Sequence, residues 1–428
     1  MVMHETNAST NASTSASANA TQHNAAQHNA AQHNIAQTSN PATPQVSTPV
    51  IQQVSKPCQP AAAKVSPAST PAASQVSTLA TSQVSTPAAP RVSTLAAAQA
   101  STPAILQAPA PAFALPAILR PLYPFAQHTF VTPCGPRMNY ADEGPRSGEA
   151  VLMLHGNPTW SFFYRDIIRA LSPKIRCIAP DHVGMGLSEK PHAGKYPYTL
   201  ATRIADIEAL VAALGLKRIH LIVHDWGGAI GFGLATRHPG KIGRVTILNT
   251  AAFPDTSIPS RIALCRAPLG LGALIVRGLN GFAWPATWMT MHRRKLTPAE
   301  KRGYLFPYDN WASRVAVHEF VRDIPMTPAH PTHPTLAEIE RKLPLLAANP
   351  KLILWGGRDF CFNDHFYNRW RAIYPEAAAH RFPDAGHYLP DDGGAEVCSK
   401  IGHFLAPIAT TPPPRLQLKP DLSRLNST

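Results

Sequence analysis

From about residue 129 onward, short apolar runs of strand length alternate with longer stretches in which apolar residues recur every three to four positions. From Thr129 the chain reads as strand, turn, strand, with Pro133-Cys134-Gly135-Pro136 as the turn. Residues 150–154 then predict a strand, 163–171 a helix and 175–179 a strand. Residues 201–214 predict a helix with Ile204, Ile207, Leu210, Val211 and Leu214 on its apolar face. Ile219, Leu221, Ile222 and Val223 form the next strand, and 245–248 and 352–355 two later ones. Strands alternating with helices imply a mostly parallel central sheet with helices on both faces, an α/β fold. Ligand chemistry in such sheets gathers at the carboxyl ends of the strands.

The alternation breaks over 253–346, a segment rich in Arg, Trp and Pro with helix-like runs and no convincing strand. It reads as a helical cap over the strand ends, which would shape and dry a pocket. A separately folding domain is the weaker alternative, because the segment has few clean periodic runs. The organisation expected is thus a core of 111–252 and 347–408 with a cap of 253–346.

Composition changes the picture at the ends. Residues 1–110 hold no Phe, Trp or Tyr and only four charged residues, Glu5, Lys56, Lys64 and Arg91. Such a stretch buries too little apolar surface to offset chain entropy and reads as a disordered low-complexity extension. Its repeats, a five-residue period through His23, His28 and His33 and Val-Ser-Thr at Val76, Val84 and Val92, are too short for a solenoid. Imidazoles without a shaped site are weak metal ligands, so a flexible linker is the default. Residues 409–428 read as a flexible basic tail.

The formal charge of +14 is scattered over Lys and Arg. A solvated basic surface is the plain reading, contact with acidic partners or anionic lipid the lesser one, and nothing matches a nucleic-acid module. Six cysteines without CxxC spacing argue against a zinc site or a disulfide framework and fit a reducing compartment. Met1-Val2-Met3-His4-Glu5 lacks the basic start and apolar core of a secretory signal. The longest apolar stretch, 267–276 between Arg266 and Arg277, is too short to span a bilayer. A soluble, cytoplasmic protein is expected.

Candidate chemistry centres on His224-Asp225-Trp226-Gly227-Gly228, where a strand gives way to a helix. A small residue two places after Asp225 allows the tight turn of a nucleophile elbow, and a carboxylate at its tip can attack carbon to leave an enzyme ester. The plain alternative is that Asp225 caps the next helix. His155-Gly156-Asn157-Pro158-Thr159-Trp160 follows the first central strand; Asn157 and nearby N–H groups can face developing negative charge there. The loop of residues 180–188 has two glycines but no following G-K-[ST], so its role is structural. An ester on Asp225 needs a base and an acid to orient that base. Asp359 and His387, after later strands, complete the order nucleophile, acid, base. A surface pairing of Asp359 with Arg358, or an incidental His387, are the plain alternatives.

The strings HGNPTW, DHVGMGLSEKP, HDWGGAIG, LNTAAFP, WGGRDF and DAGHY stand in this order along the chain. Over about 122 to 406 the sequence thereby resembles the α/β-hydrolase group of haloalkane dehalogenases and epoxide hydrolases. It is most similar to the third dehalogenase subfamily, which includes the β-lactone decarboxylases of olefin biosynthesis; Tyr308-Asp309-Asn310-Trp311 and residues 320–325 also resemble that group. The resemblance implies an α/β-hydrolase fold, Asp225 as nucleophile, His387 as base and Asp359 as its orienting acid. Asn157 and Trp226 become the pair that stabilises a leaving halide or an oxyanion. Another subfamily places a glutamate where this chain has Asn249, and an amide cannot be that acid, which supports Asp359. The leading expectation is decarboxylation of a long-chain cis-β-lactone to a cis-alkene and carbon dioxide, with the point of attack by Asp225 open. Haloalkane hydrolysis is the close alternative. Epoxide hydrolysis, which would use Tyr304 and Tyr308, ranks third because those enzymes usually have an aromatic in place of Asn157. A non-catalytic binder on the same fold is the alternative of another class. No cofactor or metal is implied; the partners expected are a small hydrophobic substrate, no nucleic acid, and either a homo-oligomer or an assembly with olefin-pathway enzymes.

Overall fold

The computed structural model describes residues 115–409; the expectations for 1–110 and for the tail from 410 onward lie outside them. Eight strands form one sheet: β1 (Gln127–Val131), β2 (Arg137–Glu143), β3 (Glu149–Leu154), β4 (Cys177–Pro180), β5 (Arg218–Asp225), β6 (Ile242–Thr250), β7 (Lys351–Gly356) and β8 (Ala378–Phe382). Their order is β1-β2-β4-β3-β5-β6-β7-β8. β2 runs antiparallel to β1 and β4, and every pair from β4 to β8 is parallel. β7 is buried throughout and β5 at every residue after Arg218, as continuous apolar runs require when helices cover both faces.

Successive side chains along the strands feed two cores. Leu152, Leu154, Leu221 and Val223 pack on one face with α2 (Leu200–Ala213) and α3 (Trp226–Arg237). Val151, Met153 and Ile222 pack on the other with α1 (Arg165–Leu171) and α11 (Leu389–Ala409). Ile204 of α2 is fully buried, and a Cβ on Gly233 of α3 would collide with its side chain, so the two helices meet at glycine spacing. Truncating Ile204 to alanine would cost roughly 2–5 kcal/mol.

Between β6 and β7 the chain is helical, with no strand among the described residues. It forms α4 (Ser260–Cys265), α5 (Leu271–Ala273) running into a π-type turn (Leu274–Gly278), α6 (Ala283–Met289), α7 (Pro298–Leu305), α8 (Val315–Arg322) and α9 (His333–Lys342). α7 opens on a capping box: Thr297 Oγ1 accepts from Glu300 N at 3.2 Å, and Glu300 Oε2 accepts from Thr297 N at 2.7 Å. α9 packs against the core helix α3, with Ile339 near Gly233. No helix among the described residues is long and apolar enough to cross a membrane.

Four elements differ from the sequence reading. β4 starts at Cys177 and not at Ile175, because Lys174 N and Ile175 N still donate to Leu171 O at 3.0 Å and close the turn after α1. β8 and α10 (Asp364–Ile373) are additional to the elements expected. α11, also additional, kinks at Gly394 (φ 52°) and runs to Ala409 with Pro407 inside it.

Candidate active site

Asp225 ends β5 with φ 52° and ψ −128°, a conformation that costs a residue with a side chain on the order of 1–3 kcal/mol. The surroundings enforce it. A Cβ on Gly227 would strike the Leu154 carbonyl, one on Gly228 the Thr250 hydroxyl, and one on Gly156 the Asp225 carboxylate itself. Thr250 Oγ1 also donates to the Asp225 carbonyl. The turn is therefore pressed against β3 and β6, and the carboxylate stands above the sheet.

Asp225 Oδ1 accepts from Asn157 N at 2.7 Å, and the Trp226 N–H also favours its charged form. Burial pushes the carboxyl above the ordinary carboxylate value; His387 and these two N–H groups pull it back only in part. His387 Nε2 faces Asp225 Oδ2 at 3.8 Å, while its Nδ1 donates to Asp359 Oδ2 at 2.7 Å. Asp359 Oδ1 accepts from Cys361 N at 2.7 Å and Phe362 N at 3.1 Å, so the acid is fixed on both oxygens and holds the ring's tautomer. Burial lowers the His387 pKa, but Asp359 and Asp225 outweigh it and the net shift is upward.

Asn157 and Trp226 line the same cavity as Asp225. Asn157 Nδ2 donates to Val317 O of α8 at 3.0 Å, which leaves its second hydrogen for the cavity. The Trp226 indole N–H has no acceptor among the described residues and its ring packs edge-on to Phe320. Asn249 joins β6 to β7, accepting from Gly356 N at 2.8 Å and donating to Gly356 O at 3.1 Å. In the loop 180–188, Asp181 accepts from Ser161 N and Leu187 N at 2.8 Å, a structural role.

The cavity above Asp225 measures about 340 Å³. Asp225, His387, Asn157 and Trp226 form its floor; Ile258, Ile262, Ile275 and Phe282 of the cap segment and Phe360 and Phe362 after β7 form its walls. Tyr304 and Tyr308 do not reach it. The Tyr304 hydroxyl donates to Asp391, inside a buried cluster with Arg165 and Glu300, and the Tyr308 hydroxyl donates to Thr159 O at 3.2 Å. Among the described residues no group of three or more His, Cys, Asp or Glu is placed to share a metal ion.

Two supporting residues escaped the sequence reading. His224 donates through Nε2 to the His387 carbonyl at 2.9 Å and stacks on Phe163; burial keeps it well below the ordinary histidine value, hence neutral. Asp392 accepts from His292 N at 2.9 Å, Arg293 N at 2.8 Å and Gly386 N at 2.7 Å, tying the cap segment to the loop that carries His387. The available signal was a pair of carboxylates in the first turn of the helix after DAGHY.

A model of the alpha/beta hydrolase fold family matches residues 149–394, from the strand before the Asn157 loop to beyond His387. The chain belongs to this family. This α/β-hydrolase is 43% identical over 297 residues to a cis-3-alkyl-4-alkyloxetan-2-one decarboxylase of Shewanella oneidensis, covering 68% of this chain and 92% of that protein. It is 41% identical over 294 residues to a protein of the same name from Xanthomonas campestris pv. campestris, covering 67% and 97%. Its fold is similar to a crystal structure of a haloalkane dehalogenase from Bradyrhizobium elkani, with a TM-score of 0.60, 26% identity and coverage of 66% and 98%. In this α/β-hydrolase, the elbow places an acidic oxygen under an apolar cavity with hydrogen-bond donors beside it, which suits displacement at carbon with expulsion of an anion.

Proposed function

We propose that this α/β-hydrolase-fold enzyme decarboxylates cis-3-alkyl-4-alkyloxetan-2-ones, β-lactones with two alkyl chains, to cis-alkenes in olefin biosynthesis. The observation that carries the reading is a single elbow carboxylate, Asp225, beneath an apolar cavity, in a chain that shares 43% identity with a decarboxylase of that name. Asp225 attacks the ring carbon that bears oxygen; the C–O bond breaks, an ester to Asp225 forms, and the lactone carbonyl becomes a free carboxylate. The bond from that carboxylate to the neighbouring carbon then breaks, its electrons form the C=C bond, and Asp225 leaves as carbon dioxide departs. Back-side attack followed by anti departure keeps both alkyl chains on one side, hence a cis-alkene. Water, external base and cofactor are not consumed. Asn157 and Trp226 hold the developing carboxylate, and protonated His387, held by Asp359, stabilises Asp225 as the leaving group.

Haloalkane hydrolysis is the second reading, favoured by the structural likeness to a haloalkane dehalogenase. Here Asp225 displaces halide between Asn157 and Trp226, and His387 must be neutral to activate the water that frees the alcohol. The tyrosine geometry leaves epoxide opening without its acids, since neither hydroxyl faces the cavity. A cytoplasmic setting belongs to the same proposal, supported by the absence of disulfides among the described cysteines, as does a homo-oligomer or an assembly with other olefin-forming enzymes. Feeding the purified protein a cis-β-lactone and a set of bromoalkanes tests the main reading. Alkene without bromide release is expected; bromide without alkene overturns it.

A further inference from the structure

The cap segment carries a surface that the chemistry of the floor does not use. Of the eleven large apolar side chains exposed among the described residues, eight lie between Leu264 and Trp311: Leu264, Leu269, Leu271, Leu274 and Leu279, and Trp284, Trp288 and Trp311. Scattered exposed leucines need no explanation, but a concentration on one short segment does. Leu269 is wholly exposed (102%) and sits at φ 56° before Gly270 at φ 80°. A leucine that is both bare and in the left-handed region contributes nothing to the fold it protrudes from. Trp284 and Trp288, one helical turn apart on α6, stand edge to face at 6.2 Å with more than half of each exposed.

The charges of the same segment are of one sign. No Asp or Glu occurs from residue 256 to residue 299. Arg261, Arg266 and Arg277 form no ion pair among the described residues: Arg266 bonds the Arg322 carbonyl at 2.9 Å, Arg277 the Trp311 carbonyl at 3.1 Å, and Arg261 lies against the Phe360 ring. Their charges are only partly offset, Asp323 acting on Arg266 and Glu319 on Arg277 without a direct ion pair, unlike that of Arg293, which pairs with Asp384 at 2.6 Å. Interface-seeking Trp and Leu mixed with unpaired Arg match an anionic bilayer surface. The apolar run 267–276, too short to cross a bilayer, has the length to lie in its interface.

This surface is continuous with the cavity mouth. Leu264 lines the cavity and is itself half exposed, and Ile262, Ile275 and Phe282 of the same segment line the cavity walls. We propose that the cap face formed by α4, α5, the π-type turn and α6 docks on anionic phospholipid membranes and opens the cavity toward the acyl layer. A long-chain lactone, whose naming rests on the proposed function, then passes from bilayer to Asp225 without crossing water.

Cosedimentation of the full chain with vesicles tests this without any substrate, so the result is independent of the lactone reading. The probes are phosphatidylcholine vesicles with and without about one-third phosphatidylglycerol. The expected result is binding to the anionic vesicles, weakened by about 0.5 M salt. The Leu269→Ser/Leu279→Ser variant, altered only at exposed positions outside the cavity, should bind at least about tenfold more weakly while turning over a dissolved short-chain lactone as the parent does. Three results overturn the proposal: no vesicle binding, equal binding by the variant, or sedimentation without vesicles that the variant abolishes, which would make the face a contact between copies. Capture by a protein partner in place of vesicles would overturn it equally. Vesicle binding with no lactone turnover would retire the proposed function and leave the docking surface standing.

Discussion

At the floor of the cavity, Asp225 is held by the Asn157 N–H, Asp359 by two backbone N–H groups, and His387 by Asp359 below and His224 behind. Its cap walls are apolar surface: Ile258, Ile262, Ile275 and Phe282 touch the cavity through side chains that could be exchanged for others of similar volume. The floor sits at the ends of buried parallel strands, and the cap segment is a run of short helices and turns. On the proposed function, the difference teaches that chemistry and substrate choice are held by different physical means. Directional bonds fix the reacting atoms to a fraction of an ångström, whereas apolar area tolerates change and selects chain length and shape.

The sharpest way to break this contrast is to compare one atom on the floor with one methylene on the wall. Asp225→Asn keeps the shape and can still accept from Asn157 N, but an amide is no nucleophile at carbon. Alkene formation from a cis-β-lactone should fall at least about 10³-fold. Removing a buried charge should leave the thermal midpoint no lower than the parent's. Ile262→Val should lower turnover by about an order of magnitude at most. Gas chromatography of the alkene and a thermal melt read both effects, and a wall variant as crippled as the floor variant would erase the distinction.

The same division decided what could be read in the sequence. Asp225, Asn157 and Asp359 each sit in a short string at or just after a strand that the sequence shows, because a strand end, a tight turn and a glycine clash are local requirements, while His387 was legible through the string DAGHY and its place in the order. Asp392 was visible only as one of two carboxylates opening a helix, and its partners were not, since His292 and Arg293 lie about a hundred residues away and no local pattern encodes that contact. β8 was missed because Ala378–Phe382 has no apolar run and is mostly only half buried. Tyr304 and Tyr308, four apart, were the two acids an epoxide reading would use. Helix α7 ends at Leu305 and Phe306–Tyr308 is a 3-10 turn containing Pro307, so the two rings diverge to different partners. The exposed cap surface was visible as an apolar run, but not its loop conformation or the lack of partners for its arginines.

A smaller effect, about tenfold in rate across the neutral range, separates the two readings of the floor by pH. His387 is raised above the ordinary 6.5 and Asp225 above 3.8. The pair loses its first proton from the carboxyl, since the imidazolium beside it favours the carboxylate, and its second from His387. Between the two steps the site holds Asp225 ionised and His387 protonated. That state can displace at carbon but cannot activate water. Decarboxylation should therefore keep its rate as pH falls through 6.5 and decline only when Asp225 takes up its proton. A rate of alkene release that already declines above pH 6.5 would mean that neutral His387 is required, as hydrolysis demands.

The smallest effect belongs to the cap. Tyr304→Phe and Tyr308→Phe remove hydroxyls that donate to Asp391 and to Thr159 O, neither of which touches the cavity. Asp391 keeps its pairing with Arg165 and Arg294 after the first change, and the second removes the 3.2 Å bond to Thr159 O and the long 3.5 Å bond accepted from Gly186 N. Each variant should lose about 1 kcal/mol of stability, read by denaturant unfolding. Turnover should change by less than about twofold, because no proton passes through either hydroxyl in a displacement by Asp225. A hundredfold loss of turnover in either variant with an intact fold would show the phenol acting on substrate. The cap would then share in the chemistry, and the line drawn between a reacting floor and a merely selective roof would fail.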